Sequence, residues 1–263
     1  MQHSEISAFY DGFMDSRMID YRIHGSRRLE LAIGLIRPLI ETDSVVLDVG
    51  CGIGIITEEL GRIARHGRVV GVDISNRNIW YAKQTIDRPN VSFMVADILA
   101  DIDRVRVELG ELADAIVMVD TIEHIQENDR AELLKRLAPL CAPKAILAVT
   151  FPSPAYQRYL VEHDPTGLQI IDNIIEPEEV FAEAKSAGFF PVYYSLADCG
   201  RTNQYAHCIF GRQVDTREVA WRFRGMLKRI PKKVGRFLTY PLRVHRYKRR
   251  IFTGETDEDE ALG

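Results

Sequence analysis

From about residue 44 to residue 210, short apolar runs rich in β-branched residues alternate with helical patterns. That alternation restricts the chain to a parallel sheet with helices on both faces. Strands are predicted over residues 44–49, 68–73, 91–96, 113–119 and 145–150, with a closing pair over 190–195 and 204–210. Helices are predicted over 54–64, 76–86, 131–140 and 177–187. The run 113–119 is almost entirely apolar, as a central strand covered on both faces requires. Pro177 opens the last helix and Gly188 follows it, the usual punctuation of helix ends. The expected class is α/β, a Rossmann-like doubly wound, mostly parallel sheet. Helices over 4–17 and 26–36, joined by 18–22, precede it, and an insertion spans 153–176.

Composition sets outer limits. The chain has 263 residues, 46% apolar and 27% charged, enough for one large core. No apolar run is long enough to span a bilayer, and the N-terminus does not read as a signal peptide. The four cysteines show no Cys-x-x-Cys spacing, which fits reduced thiols and a cytoplasmic location. The net charge of −4 is unevenly spread: residues 1–211 carry 20 Lys and Arg against 31 Asp and Glu, and residues 212–250 carry 14 against 2. Three regions follow: a helical lid over 1–40, a sheet domain over 41–211 and a basic extension over 212–263 with an acidic tip. In the extension, Phe223, Leu227, Ile230, Val234 and Phe237 keep helical spacing, interrupted by Pro231. Such a segment packs on the acidic body, pairs with a second copy in a homodimer, or lies peripherally on an anionic membrane. Nucleic acid is the weakest partner, because no stacking-aromatic motif accompanies the charge.

The strongest local signal is Leu47-Asp48-Val49-Gly50-Cys51-Gly52-Ile53-Gly54. A buried strand runs into three glycines and then a helix, so the backbone can turn tightly and approach a ligand. The spacing differs from the dinucleotide fingerprint, and Asp48 precedes the first glycine. About 20 residues on, Asp73 ends the second strand, where a carboxylate can accept both ribose hydroxyls of an adenosine group. Asp97 ends the third strand, where an adenine amino group can be read.

These residues closely resemble the class I methyltransferases that use S-adenosylmethionine (SAM). The resemblance covers roughly 44–210 and implies seven strands with the last antiparallel. It also implies a donor site of Asp48, Gly50, Cys51, Gly52, Gly54, Asp73, Ile74, Asp97, Ile98 and Asp120. Lid helices commonly cover that site, so Tyr21, Arg22, His24 and Arg27 are candidates to close it, and Tyr21 and Arg27 to touch SAM. A solvated surface is the alternative for that segment.

After the fourth strand, Asp120, Glu123 and His124 stand at i, i+3 and i+4, on one side of any helical turn. Methyl transfer needs the nucleophile aligned and deprotonated, which a bound metal or a histidine base would assist. The Asp-x-x-Glu-His pattern resembles the ubiquinone-biosynthesis O-methyltransferases and the plant small-RNA 2′-O-methyltransferases. In the latter, a comparable set with a later histidine holds Mg²⁺. The implied ligands here are Asp120, Glu123, His124 and His163, for Mg²⁺ or Mn²⁺. A metal-free His124 base and a structural role are the competing readings. The insertion over 156–175 is the expected acceptor-specificity loop. The function expected is metal-assisted O-methylation of a sugar, glycan or other small polar acceptor. A quinone-like phenol or lipid-linked acceptor is the enzymatic alternative, and a catalytically idle SAM-fold binding protein the other.

Overall fold

The computed structural model describes residue 9, residues 19–165 and residues 168–212. The helix expected over 4–17, residue 9 apart, and the basic extension beyond residue 212 lie outside the described residues. Seven strands form one sheet: β1 (Val45–Val49), β2 (Arg68–Asp73), β3 (Val91–Val95), β4 (Ala113–Val119), β5 (Cys141–Pro152), β6 (Phe190–Ala197) and β7 (Tyr205–Gly211). Their order is β3-β2-β1-β4-β5-β7-β6. The ladders β3-β2-β1-β4-β5 are parallel, and β7 runs antiparallel to both β5 and β6. The expected doubly wound sheet with an antiparallel last strand is the sheet found.

Eight α-helices are described: α1 (Ile19–His24), α2 (Arg27–Ile36), α3 (Ile55–Ile63), α4 (Asn76–Thr85), α5 (Ile102–Leu109), α6 (Glu127–Leu137), α7 (Pro154–His163) and α8 (Pro177–Ser186). Strand alternation divides the core between the two faces. Leu47, Val49, Ile116 and Met118 pack with Val105 of α5, Leu134 of α6 and Val180 of α8. Val46, Ala115 and Val117 pack with Ile33 and Ile36 of α2 and Leu60 of α3. Helix α2, expected in the lid, is thus a layer of the core. Across the first face, the buried Arg130 of α6 pairs with Glu179 and Glu183 of α8, each at 3.0 Å.

Several elements differ from expectation. The link over 18–22 lies largely in α1, whose Arg22 is buried. Helix α5 was not predicted, although Ile102, Val105 and Leu109 are buried at helical spacing and Gly110 ends the helix at φ +72°. Helix α6 starts four residues earlier than expected, and a 3₁₀ turn follows it over Ala138–Leu140, where Pro139 stands. Strand β5 is longer than predicted, its end at Phe151 and Pro152 paired with β7. The insertion contains α7, whose N-cap Ser153 accepts a hydrogen bond from the Tyr156 amide. No helix among the described residues is long and apolar enough to cross a membrane.

Candidate active site

Chain order reverses between β1 and β4, and a crevice opens beyond the carboxyl ends of such strands. The cavity there measures about 340 Å³, within the size of small-molecule sites. One side is the glycine turn. Gly50 has φ +72° and Gly52 φ +53°, which favour glycine. A Cβ on Gly50 would lie 2.4 Å from Thr121 Oγ1, the hydroxyl that donates to Val49 O. The amides of Gly50 and Cys51 donate to Val72 O at 2.8 and 3.0 Å, tying the turn to β2. Asp73 Oδ2 accepts from the Gly52 amide at 2.8 Å, and Oδ1 accepts from the Ser75 amide and Asn78 Nδ2. Asp97 Oδ1 accepts from the Leu99 amide at 2.9 Å. Asp48 is buried beneath the turn and accepts from Thr57 Oγ1 at 2.6 Å; burial pushes its carboxyl up to about 7. Burial, with Asp73 and Asp48 nearby, also keeps the Cys51 thiol protonated.

Asp48, Gly50, Cys51, Gly52, Asp73, Ile74, Asp97, Ile98, Asp120 and Tyr21 all line this cavity. Two residues expected with them do not. Gly54, at φ +79°, caps α3, and a Cβ there would strike Ile86 and Phe93, so its role is in packing. Arg27 is exposed, and its neighbour Arg28 lines the cavity instead. Of the other lid candidates, Arg22 is buried against Glu58 at 3.1 Å and reaches Thr85 Oγ1, while exposed His24 pairs with Asp20. Neither lines the cavity.

The opposite side follows β4. Asp120 sits at φ +54°, an uncommon conformation for a non-glycine residue and a typical mark of a functional turn. Its Oδ1 accepts from Thr150 Oγ1 at 2.9 Å. Its Oδ2 lies 2.8 Å from Arg28 Nε, an ion pair whose N–H is misaligned for a hydrogen bond. Arg28 also donates to Tyr205 OH at 2.7 Å and lies over the rings of Tyr205 and Tyr21. Only a 3₁₀ turn, Ile122–His124, follows Asp120, so the three residues do not share one helical face.

Glu123 is buried, and burial, then the charge of Asp120, raises its carboxyl well above the usual range. His124 is held by Nδ1, 2.7 Å from Ile171 O. A carbonyl only accepts, so Nδ1 carries the proton and neutral His124 has its lone pair on Nε2. Burial lowers the imidazole pKa below 6.5, against the opposing pull of Asp172. The insertion packs on this turn: Asn173 donates from its amide and from Nδ2 to Glu123 O, and from Nδ2 also to Ile125 O. Tyr156, Gln157, Leu160, Gln169 and Asp172 of the insertion complete the wall.

These donors do not fit a divalent metal. Asp120 is engaged by Arg28 and Thr150. His163 is exposed, stacked on Tyr159 at 4.5 Å and near Glu162. Among the described residues no three His, Cys, Asp or Glu side chains are grouped to hold a metal ion. The expected set of Asp120, Glu123, His124 and His163 is therefore not assembled, because residue spacing says nothing of partners acquired in the fold.

Sequence reasoning missed Arg28, Tyr205, Gln157 and Asp172. Arg28 was detectable: it stands four residues before buried Ala32 and seven before buried Leu35, whereas Arg27 aligns with exposed Gly34. The others come together only through tertiary contact.

Residues 46–144 match the family model described as "Methyltransferase domain". The chain is 27% identical over 191 residues to the ubiquinone biosynthesis O-methyltransferase of Azorhizobium caulinodans, covering 68% of each chain. It is 26% identical over 158 residues to the protein of the same name from a Ruegeria species, covering 56% of this chain and 60% of that one. Among solved structures, the magnesium protoporphyrin IX methyltransferase of Synechocystis with bound SAH has a TM-score of 0.63 at 15% identity, over 81% of this chain and 100% of that chain. A SAM-dependent methyltransferase from Anabaena variabilis has a TM-score of 0.64 at 16% identity, over 81% and 96%. With the sheet order seen here, these matches show that the chain has the fold of the SAM-dependent methyltransferases and that its residues 46–144 are similar to a methyltransferase domain.

Proposed function

We propose that the protein methylates a hydroxyl of a small polar acceptor, with His124 as a metal-free general base. The observation that carries this reading is the 2.7 Å contact from His124 Nδ1 to Ile171 O, which puts the proton of the neutral ring on Nδ1 and makes Nε2 its basic nitrogen. When bound, SAM supplies an activated sulfonium methyl. The turn at Gly50–Gly52, the oriented Asp73 carboxylate and Asp97 are the residues proposed to hold it. Arg28 and Asp120 neutralise each other beside the reacting end, and the insertion covers the acceptor. Positioning of this kind and a well-placed base account for most of what such a displacement requires.

A quinone-like phenol is the second reading, supported by the names of the two curated relatives. Labelled-SAM transfer over sugars, phenols and lipids tests both. Transfer to an acceptor hydroxyl, unchanged in excess EDTA, supports the metal-free base. Loss of activity in EDTA, restored by Mg²⁺ or Mn²⁺, overturns it. Absence of SAH binding by calorimetry would leave only the binding-protein alternative.

A further inference from the structure

Five residues on the acceptor side form one connected cluster. Glu123 Oε1 lies 4.0 Å from His124 Nε2, and His124 Nδ1 lies 4.0 Å from Asp172 Oδ1. Asp172 Oδ1 accepts from Gln157 Nε2 at 2.6 Å, and Oδ2 accepts from the Gln169 amide at 2.9 Å. The bond to a carboxylate fixes the Gln157 amide: its nitrogen faces Asp172, so its oxygen faces away. Gln157 is only 1% exposed, yet among the described residues Oε1 has no hydrogen-bond partner, and the buried Oε1 of Gln169 has none either. Both residues line the cavity. Asn173 Nδ2 is engaged by the carbonyls of Glu123 and Ile125.

Two buried acceptor oxygens beside a base call for a ligand that brings donors. We infer that the acceptor is an uncharged polyol of the sugar class, whose neighbouring hydroxyls donate to Gln157 and Gln169. Gln157 is then a specificity-determining residue. The inference rests on the O-methyltransferase reading above and narrows its substrate. A phenol with a single hydroxyl brings no further donor once that hydroxyl faces His124. An anionic acceptor meets Asp172 along the same wall, where Arg28 is already paired with Asp120.

The test is labelled-methyl transfer from SAM to methyl glycosides of common hexoses, 6-deoxyhexoses and pentoses. Phenol, guaiacol and sugar phosphates are run beside them. Transfer to at least one glycoside is expected, with kcat/KM at least about 10-fold lower in Gln157→Leu and an unchanged affinity for SAH. Single-deoxy analogues of that glycoside should include one that loses as much with the wild-type protein and nothing further with Gln157→Leu. If Gln157→Leu fails to fold, Gln169→Leu carries the same cycle. Normal SAH binding with no transfer to any glycoside, or with preference for guaiacol, overturns the polyol inference. Failure to bind SAH overturns the methyltransferase reading beneath it.

Discussion

His124 can act as a base only while neutral. Burial lowers its pKa below 6.5, so protonation is delayed to more acidic pH. The acid limb of the kcat profile should therefore lie below 6.5, and His124→Gln should cut kcat by about 10²–10⁴-fold with SAH affinity unchanged. An acid limb above 6.5 would contradict the environment described. Asp48 carries the opposite sign. The unfolded carboxyl loses its proton near 3.8, but the folded one keeps it until about 7. Its contribution to stability is thus full below about pH 4 and is lost as pH rises through 7. Asp48→Asn keeps an acceptor for Thr57 and removes that loss. Thermal melts at pH 8 should show it more stable by on the order of 3 kcal/mol, with little difference at pH 4. At this scale the sequence was readable where a residue's place follows from strand position, as for Asp73 and Asp97, which both line the cavity. It was misleading where a role depends on which neighbour is buried, as for Arg27 and Arg28.

Glycines make the contrast between elements measurable. Gly34 lies within α2 with nothing inside 4 Å of an added Cβ, so Gly34→Ala should raise stability by about 0.5–1 kcal/mol. Gly50→Ala combines a positive φ with a 2.4 Å approach to Thr121 Oγ1. It should lower Tm and weaken SAH binding, both readable by calorimetry. The strands were legible because burial on two faces leaves continuous apolar runs, as in β4. Helix α5 was overlooked because its apolar stripe is only three residues wide among charges, Ile102, Val105 and Leu109. Strand β5 was drawn short because its end is set by pairing with β7, a partner some 50 residues away in sequence.

For the whole molecule, a ligand that binds only the folded state stabilises it by mass action. SAH at about 100 times its Kd should add about 2.7 kcal/mol, a rise in Tm of roughly 5–10 °C, measured by differential scanning fluorimetry. No rise would contradict a donor pocket at the switch point. The architecture and the glycine-turn side of the cavity were legible because both depend on order along the chain: strand, turn, helix, acid. The facing wall was not, because tertiary contacts make its join. Asn173 reaches the carbonyls on either side of His124 and Ile171 O holds His124 Nδ1, so the insertion is fastened to the turn after β4 by one short segment. That fastening makes the enzyme modular. A different stretch of chain, spliced in between β5 and α8 with residues 171–173 retained, would reshape that wall of the cavity and leave the glycine turn as it stands.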